Sequence, residues 1–208
     1  KRLKNYETPY QLEVLQTKQQ QDPIDIVFLS VGGNDAGFSD LLTDCIILSC
    51  LENPQNTSRW QMQITNAARN LKWSIESIHH FSPSAKVVVM GYPNFALFEK
   101  SKDECRWAVT NNMAISYEEQ QKVSAQIFAK LNLALEQVSA EAGAYYVDNS
   151  NTFKEHSLCD PTPYVNGLMT DLKNSEVRQA QIKIPHDVLG DDLIYMDSFH
   201  PNKAGHEA

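Results

Sequence analysis

The sequence predicts an α/β domain built on a parallel sheet, on three observations. Three short apolar runs are each closed by glycine, proline or a carboxylate, and two long segments between them repeat apolar residues every three or four positions. The order strand, helix, strand, helix, strand is that of parallel strands joined by helical crossovers. In open sheets of this kind ligands bind beyond the carboxyl ends of the strands, so the residues just after each run are the functional candidates.

The first run, Asp25 to Val31, is rich in β-branched and aromatic residues and stops at Gly32-Gly33-Asn34-Asp35. A run apolar on both faces and bounded by glycine suits a strand buried inside a parallel sheet. Next comes a helical pattern from Ser58 to about Phe81, with Trp60, Ile64, Ala67, Ala68, Leu71, Ile75 and Ile78 on one face. Ser58 with Gln61 three residues on reads as a capping box at its start. Lys86 to Gly91 is the second strand, ending at Tyr92-Pro93. The second long helix, from about Ile115 to Ala142, places Val123, Ile127, Leu131, Leu135 and Val138 on one face, and Gly143 falls where a left-handed cap belongs. Ala144 to Asp148 is the third strand. Cys159 to about Gly190 has little periodicity and contains Pro161, Pro163, Asn166 and Gly167, so it reads as a long excursion over the sheet edge.

Composition narrows the class without naming a chemistry. The chain has 208 residues, 42% hydrophobic and 21% charged, which is enough for one domain with its own core. Eighteen Lys plus Arg against twenty-six Asp plus Glu leave a net charge of -8, which argues against a nucleic-acid groove. No apolar run is long enough to span a bilayer. Lys1 to Tyr10 is polar and leads into a helical pattern, unlike a signal peptide. Four cysteines (Cys45, Cys50, Cys105 and Cys159) allow three pairings. Reduced thiols in a cytosolic protein are the plain alternative, and the paired short Cys-x-x-Cys spacing of a zinc site is absent. Asn56-Thr57-Ser58 is a glycosylation sequon of a kind common by chance.

Two strand-end motifs carry candidate chemistry. Glycines after a strand let the backbone turn and approach a ligand, and an Asn amide placed there can donate to an anionic oxygen. Asn34 is that amide; a tight turn in which Asn34 or Asp35 caps the next helix accounts for the same residues. Neither the dinucleotide fingerprint nor a P-loop lysine is present. Near the C-terminus stands Asp197-Ser198-Phe199-His200-Pro201. A carboxylate three residues before a histidine can orient the ring and stabilise the imidazolium. Pro201 holds His200 extended, and the "NKAGHEA" that follows can start a helix. His79 and His80 end a helix and face its last carbonyls. His156, His186 and His206 lack a motif, and Asp191-Asp192 reads as a solvated acidic loop.

"VGGNDAGF" after a strand and "DSFHP" near the far end, with "VVVMGYPNF" and "LCDPTPYVNGL" between them, resemble the SGNH (GDSL) hydrolases. The last two stretches look like the secreted, disulfide-containing esterases and lipases of that family. The resemblance runs from about Ile24 to Ala208 and implies a three-layer α/β/α sandwich with a central parallel sheet, flavodoxin-like. It implies ester hydrolysis by a Ser-His-Asp mechanism without a cofactor or metal. His200 is then the general base, Asp197 its orienting carboxylate, and Asn34 an oxyanion donor, with Gly33 shaping the approach. It also implies bridges Cys45–Cys50 and Cys105–Cys159, hence an oxidising, extracellular or periplasmic setting. Tyr92, Asn94, Tyr164 and Asn166 are candidate substrate-binding residues from their places after the middle strand and in the late loop.

One departure matters. The family's nucleophile belongs to a Gly-Asp-Ser block on the first strand, and no such triplet occurs in this chain. Ser30 is expected inside a buried strand, Ser39 a helical turn beyond Asn34, and Ser198 between the catalytic pair; none has the elbow that exposes a nucleophile. The expectation is that residues 1–208 form the C-terminal part of a single hydrolase domain. Its serine would lie on another segment or on a companion chain. The substrate would be a small-molecule, lipid or glycan ester. The rival expectation is a non-catalytic lipid- or glycan-binding module on the same fold.

Overall fold

The computed structural model describes residues 10–38, 54–94, 121–157, 160–166 and 200–208, together with the backbone of 180–183 and 193–195. Helix α1 (Gln11–Gln21) leads into strand β1 (Ile26–Leu29). Helix α2 (Pro54–Phe81), strand β2 (Lys86–Met90), helix α3 (Ala129–Glu141) and strand β3 (Tyr145–Val147) follow. The three strands form one parallel sheet in the order β1-β2-β3, with Phe28 opposite Val88 and Val88 opposite Tyr145. The predicted strands and their parallel pairing are therefore found, each trimmed by one to three residues.

Sequential strands in sequential order fix where the helices go. Parallel crossovers share one hand, so α2 and α3 fall on the same face of the sheet. They pack against each other and against that face. The core there joins Ile64, Ala67, Leu71, Ile75 and Ile78 of α2 to Leu131, Leu135 and Val138 of α3, over Val87 and Val89 of β2. The two apolar stripes read from the sequence are thus the two buried stripes.

The opposite face differs from expectation. The sequence predicts strands buried on both sides, yet Phe28 is 63% and Tyr145 61% exposed, and Ile26, Met90 and Val147 share that open side. In the alternation of β1, Ser30 falls on this side too and is exposed just past the strand end, not buried within it. Among the described residues β1 has a partner on one edge only.

Local signals were partly misread. Helix α2 begins a turn before Ser58, at Pro54, a residue whose fixed φ and missing N–H suit a first helical position. Ser58 lies inside the helix, and its hydroxyl donates back to the Pro54 carbonyl at 3.1 Å instead of capping. The second long helix is interrupted by a π-helical turn, Ser124–Phe128, which apolar spacing does not reveal. Its end is as expected: Gly143 has φ +78°, Ala144 N–H donates to Ser139 O and Gly143 N–H to Ala140 O, a Schellman cap. The late excursion contains a strand the sequence did not reveal. β4 (Ala180–Lys183) pairs antiparallel with β5 (Leu193–Tyr195). The final helix α4 (Lys203–Glu207) is capped by Asn202, whose side chain accepts from Gly205 N at 3.0 Å.

Candidate active site

The candidate site begins at the C-terminal end of β1. Gly32 has φ +110°, a conformation L side chains rarely adopt, and turns the chain out of the strand. The turn closes on itself, with Ala36 N–H donating to Gly32 O, Gly37 N–H to Asn34 O and Phe38 N–H to Gly33 O. Asp35 fastens it to α2 by accepting from Asn70 Nδ2 at 2.7 Å. Asn34 is exposed, and its carboxamide makes no hydrogen bond among the described residues.

Gly33 has a different constraint. Its N–H donates to Tyr92 Oη at 2.7 Å, and a Cβ at this position would lie 3.0 Å from that oxygen and 3.1 Å from the ring carbons. A side chain at 33 would therefore need the Tyr92 ring to give by a few tenths of an ångström, and the Gly33 N–H is already engaged. Of the two candidate oxyanion residues, only Asn34 has a free donor. Burial raises the Tyr92 phenol above its ordinary pKa; the Gly33 hydrogen bond opposes this and the charge of Asp35 adds to it. Tyr92 stays a neutral phenol at neutral pH.

The residues after β2 are tied inward. Asn94 is buried, donates from Nδ2 to Ser124 Oγ at 2.7 Å, and its N–H reaches Ser150 O at 3.1 Å. It lines a cavity of about 370 Å³ with Ser124, Asn132, Tyr146 and Asp148. The Tyr146 hydroxyl is buried there without a hydrogen-bond partner among the described residues. Its pKa is pushed up to about 12, first by burial and then by the charges of Asp148 and Glu136. Asp148 itself is held below the usual carboxylate range by hydrogen bonds from Ser150. A folded-state value above the ordinary 10.0 means Tyr146 supports the fold fully below pH 10, and that support is lost as pH rises toward 12. Alkaline unfolding with Tyr146→Phe checks this: the variant should lose less stability than wild type between pH 10 and 12, and an equal loss refutes it.

The late loop and the histidine segment form a second group. Val165 and Pro201 make a β-bridge, Asn166 N–H donates to His200 O at 2.9 Å, and Asn202 N–H donates to Tyr164 O at 2.9 Å. Asn202 Nδ2 also reaches Pro163 O at 2.7 Å. Tyr164 stacks on His156 with ring centroids 3.8 Å apart and lies edge-on to Phe153. His156 thus belongs to the loop's packing, with Nδ1 2.8 Å from Thr162 O. His200 is exposed, on a backbone clamped from both sides.

The structure brings Gly33 and Tyr92 together, and Asn166 and His200 together. Asp197, Ser39, Ser198, Asp191, Asp192, His186 and all four cysteines lie outside the described residues. His79 and His80 sit in the last turn of α2, as expected. His79 Nε2 is buried without a hydrogen-bond partner among the described residues, and His80 packs edge-on to Phe81. Asn132 was missed by sequence reasoning: it is a buried polar residue on α3, 8% exposed. Its signal was an amide directly beside Leu131 in an otherwise apolar stripe. Among the described residues no group of three or more His, Cys, Asp or Glu side chains could hold a metal, and no helix is long and apolar enough to cross a membrane.

A parallel sheet with crossover helices and a Gly-Gly-Asn-Asp turn beyond one strand defines an α/β sandwich of the SGNH hydrolase type. The chain belongs to the GDSL-like lipase/acylhydrolase family, which it matches over residues 4–208. It is 27% identical over 155 residues to a lipase of Streptomyces rimosus, covering 73% of this chain and 53% of that one. It is 32% identical over 146 residues to lipase 1 of Streptomyces coelicolor, covering 69% and 50%. The chain spans about half the length of these relatives. Among solved structures, phospholipase A1 from Streptomyces albidoflavus superposes with a TM-score of 0.57 at 22% identity, covering 94% of this chain and 71% of that one. The extracellular lipase of S. rimosus gives 0.51 at 26% identity, covering 73% and 61%.

Proposed function

We propose that this chain is the His- and Asn-bearing part of a serine ester hydrolase acting on lipid esters. The nucleophilic serine is carried on a segment or companion chain outside residues 1–208. The observation that carries the reading is the Asn34 turn: a side-chain amide with a free donor, held by hydrogen bonds beyond a parallel strand, in a chain of the GDSL-like family. A serine attacks the ester carbonyl while His200 Nε2 takes its proton and Asp197 orients the ring. The oxyanion is met by Asn34 Nδ2. His200 then gives the proton to the leaving alcohol and activates the water that releases the acid.

Two features support a nucleophile from elsewhere. No Gly-Asp-Ser triplet occurs in the sequence. Strand β1 also has an unpaired edge among the described residues, beside a sheet face bearing Ile26, Phe28 and Tyr145. A strand added there would make β1 internal and put Asn34 at the point where strand order reverses, the usual ligand position in such sheets. The lipase and phospholipase names of the relatives favour fatty-acyl esters, and an extracellular relative favours secretion, with Cys45–Cys50 and Cys105–Cys159 as bridges.

Labelling the complete protein with a fluorophosphonate probe and sequencing the modified peptide tests this. The label is expected on a serine outside residues 1–208. A labelled serine within them overturns the separate nucleophile. A correctly folded complete protein that refuses the probe is a lipid- or glycan-binding module instead.

A further inference from the structure

We propose that Asn132 and Tyr92 are positioning residues that set the direction of Asn34 by holding the Gly33 amide. The proposal rests on the reading of Asn34 as an oxyanion donor and adds the device that aims it.

The relay starts in α3. Asn132 Oδ1 accepts from Tyr92 N and its Nδ2 donates to Tyr92 O, both at 2.8 Å. One carboxamide thus satisfies both backbone groups of Tyr92, as a neighbouring strand would, after β2 has ended at Met90. An Asp here would keep an acceptor but lose the donor and set a negative charge against the Tyr92 carbonyl. On the other flank of this segment, Gly91 N–H donates to Val147 O at 2.9 Å and Asn94 N–H to Ser150 O. The backbone around Tyr92 is therefore fixed from both sides.

From that base the Tyr92 ring crosses from the end of β2 to the end of β1, where Oη accepts the Gly33 N–H. The other hydrogen bonds of the turn backbone run between residues 32 and 38. Gly33 N–H is the turn's backbone link to β2, and Gly33 immediately precedes Asn34. Without that link the Asp35–Asn70 bond is the turn's remaining hydrogen bond to α2 among the described residues, and a turn pinned at that one side chain can tilt about it. A tilt of about 1 Å at a donor is enough to cost on the order of 100-fold in rate. Tyr92 and Gly33 are also matched in shape, since any Cβ at 33 would meet the ring.

The test uses Tyr92→Phe, which keeps the ring and removes only the acceptor, with Asn132→Asp as a second variant. In the complete protein, amide exchange at Gly33 should quicken by about tenfold or more in Tyr92→Phe. Its kcat should fall by roughly 10- to 100-fold while KM stays within about twofold. In an Asn34→Ala background, Tyr92→Phe should cost no further kcat, because the donor it aims has gone. Asn132→Asp should repeat the exchange and kcat pattern, with a lowered melting temperature because the carboxylate is buried against the Tyr92 carbonyl.

Unchanged Gly33 exchange in Tyr92→Phe overturns the relay. Faster exchange with unaltered kcat, or a kcat loss that adds in full to that of Asn34→Ala, overturns the positioning role and leaves Tyr92 as a packing residue. If Asn34→Ala alone retains wild-type kcat, the oxyanion reading fails and the positioning role with it. The exchange measurement then separately reports whether the hydrogen bond exists.

Discussion

Replacing His200 with alanine should lower kcat for ester hydrolysis by the complete protein on the order of 10⁴-fold or more. The size follows from the proton transfers the imidazole would serve in both acylation and deacylation. The backbone bonds that hold the segment should survive the change. The segment is anchored by the Val165–Pro201 bridge, the bond from Asn166 N–H to His200 O, the bond from Asn202 N–H to Tyr164 O and the bond from Asn202 Nδ2 to Pro163 O. None of these involves the His200 side chain. A kcat loss in a variant that still melts cooperatively is thus the expected pairing, read with a soluble short-chain ester and a thermal scan. A kcat within tenfold of wild type would remove His200 from the chemistry.

Asn34→Ala is expected to reduce kcat by roughly 10²- to 10³-fold, or about 3–4 kcal/mol of transition-state stabilisation. KM should change little, because charge reaches the carbonyl oxygen only as the tetrahedral intermediate forms. Asn34 suits this experiment, since it is exposed and its carboxamide makes no hydrogen bond among the described residues. The turn would keep the bonds from Ala36, Gly37 and Phe38 and the Asp35–Asn70 link. A rise confined to KM would make Asn34 a substrate-binding residue.

The parts legible in the sequence were those governed by local periodicity. Val87 and Val89, and the stripe from Trp60 to Ile78, announce their burial by spacing alone, and Gly143 announces a helix end because few other residues tolerate its φ. The misreadings were cases of longer-range geometry. The Ser58 capping pattern lost to Pro54 because two start signals lay a turn apart, and one sequence cannot rank them. The exposure of Ile26, Phe28 and Tyr145 was hidden because apolar residues at these positions look the same whether or not they are covered. Tyr92 could be placed near a cleft but not given its partner, since Gly33 is 59 residues away.

The two glycines at the end of β1 differ in how they can change over evolutionary time. Gly32 is required by its own backbone angle, with room for a Cβ beside Leu135 and Ala67. No substitution elsewhere can relieve that strain, so the position tolerates little besides glycine whatever its neighbours become. Gly33 is constrained by a neighbour, the Tyr92 ring. A smaller residue at 92 would open space for a side chain at 33, so these two positions are free to drift only as a pair.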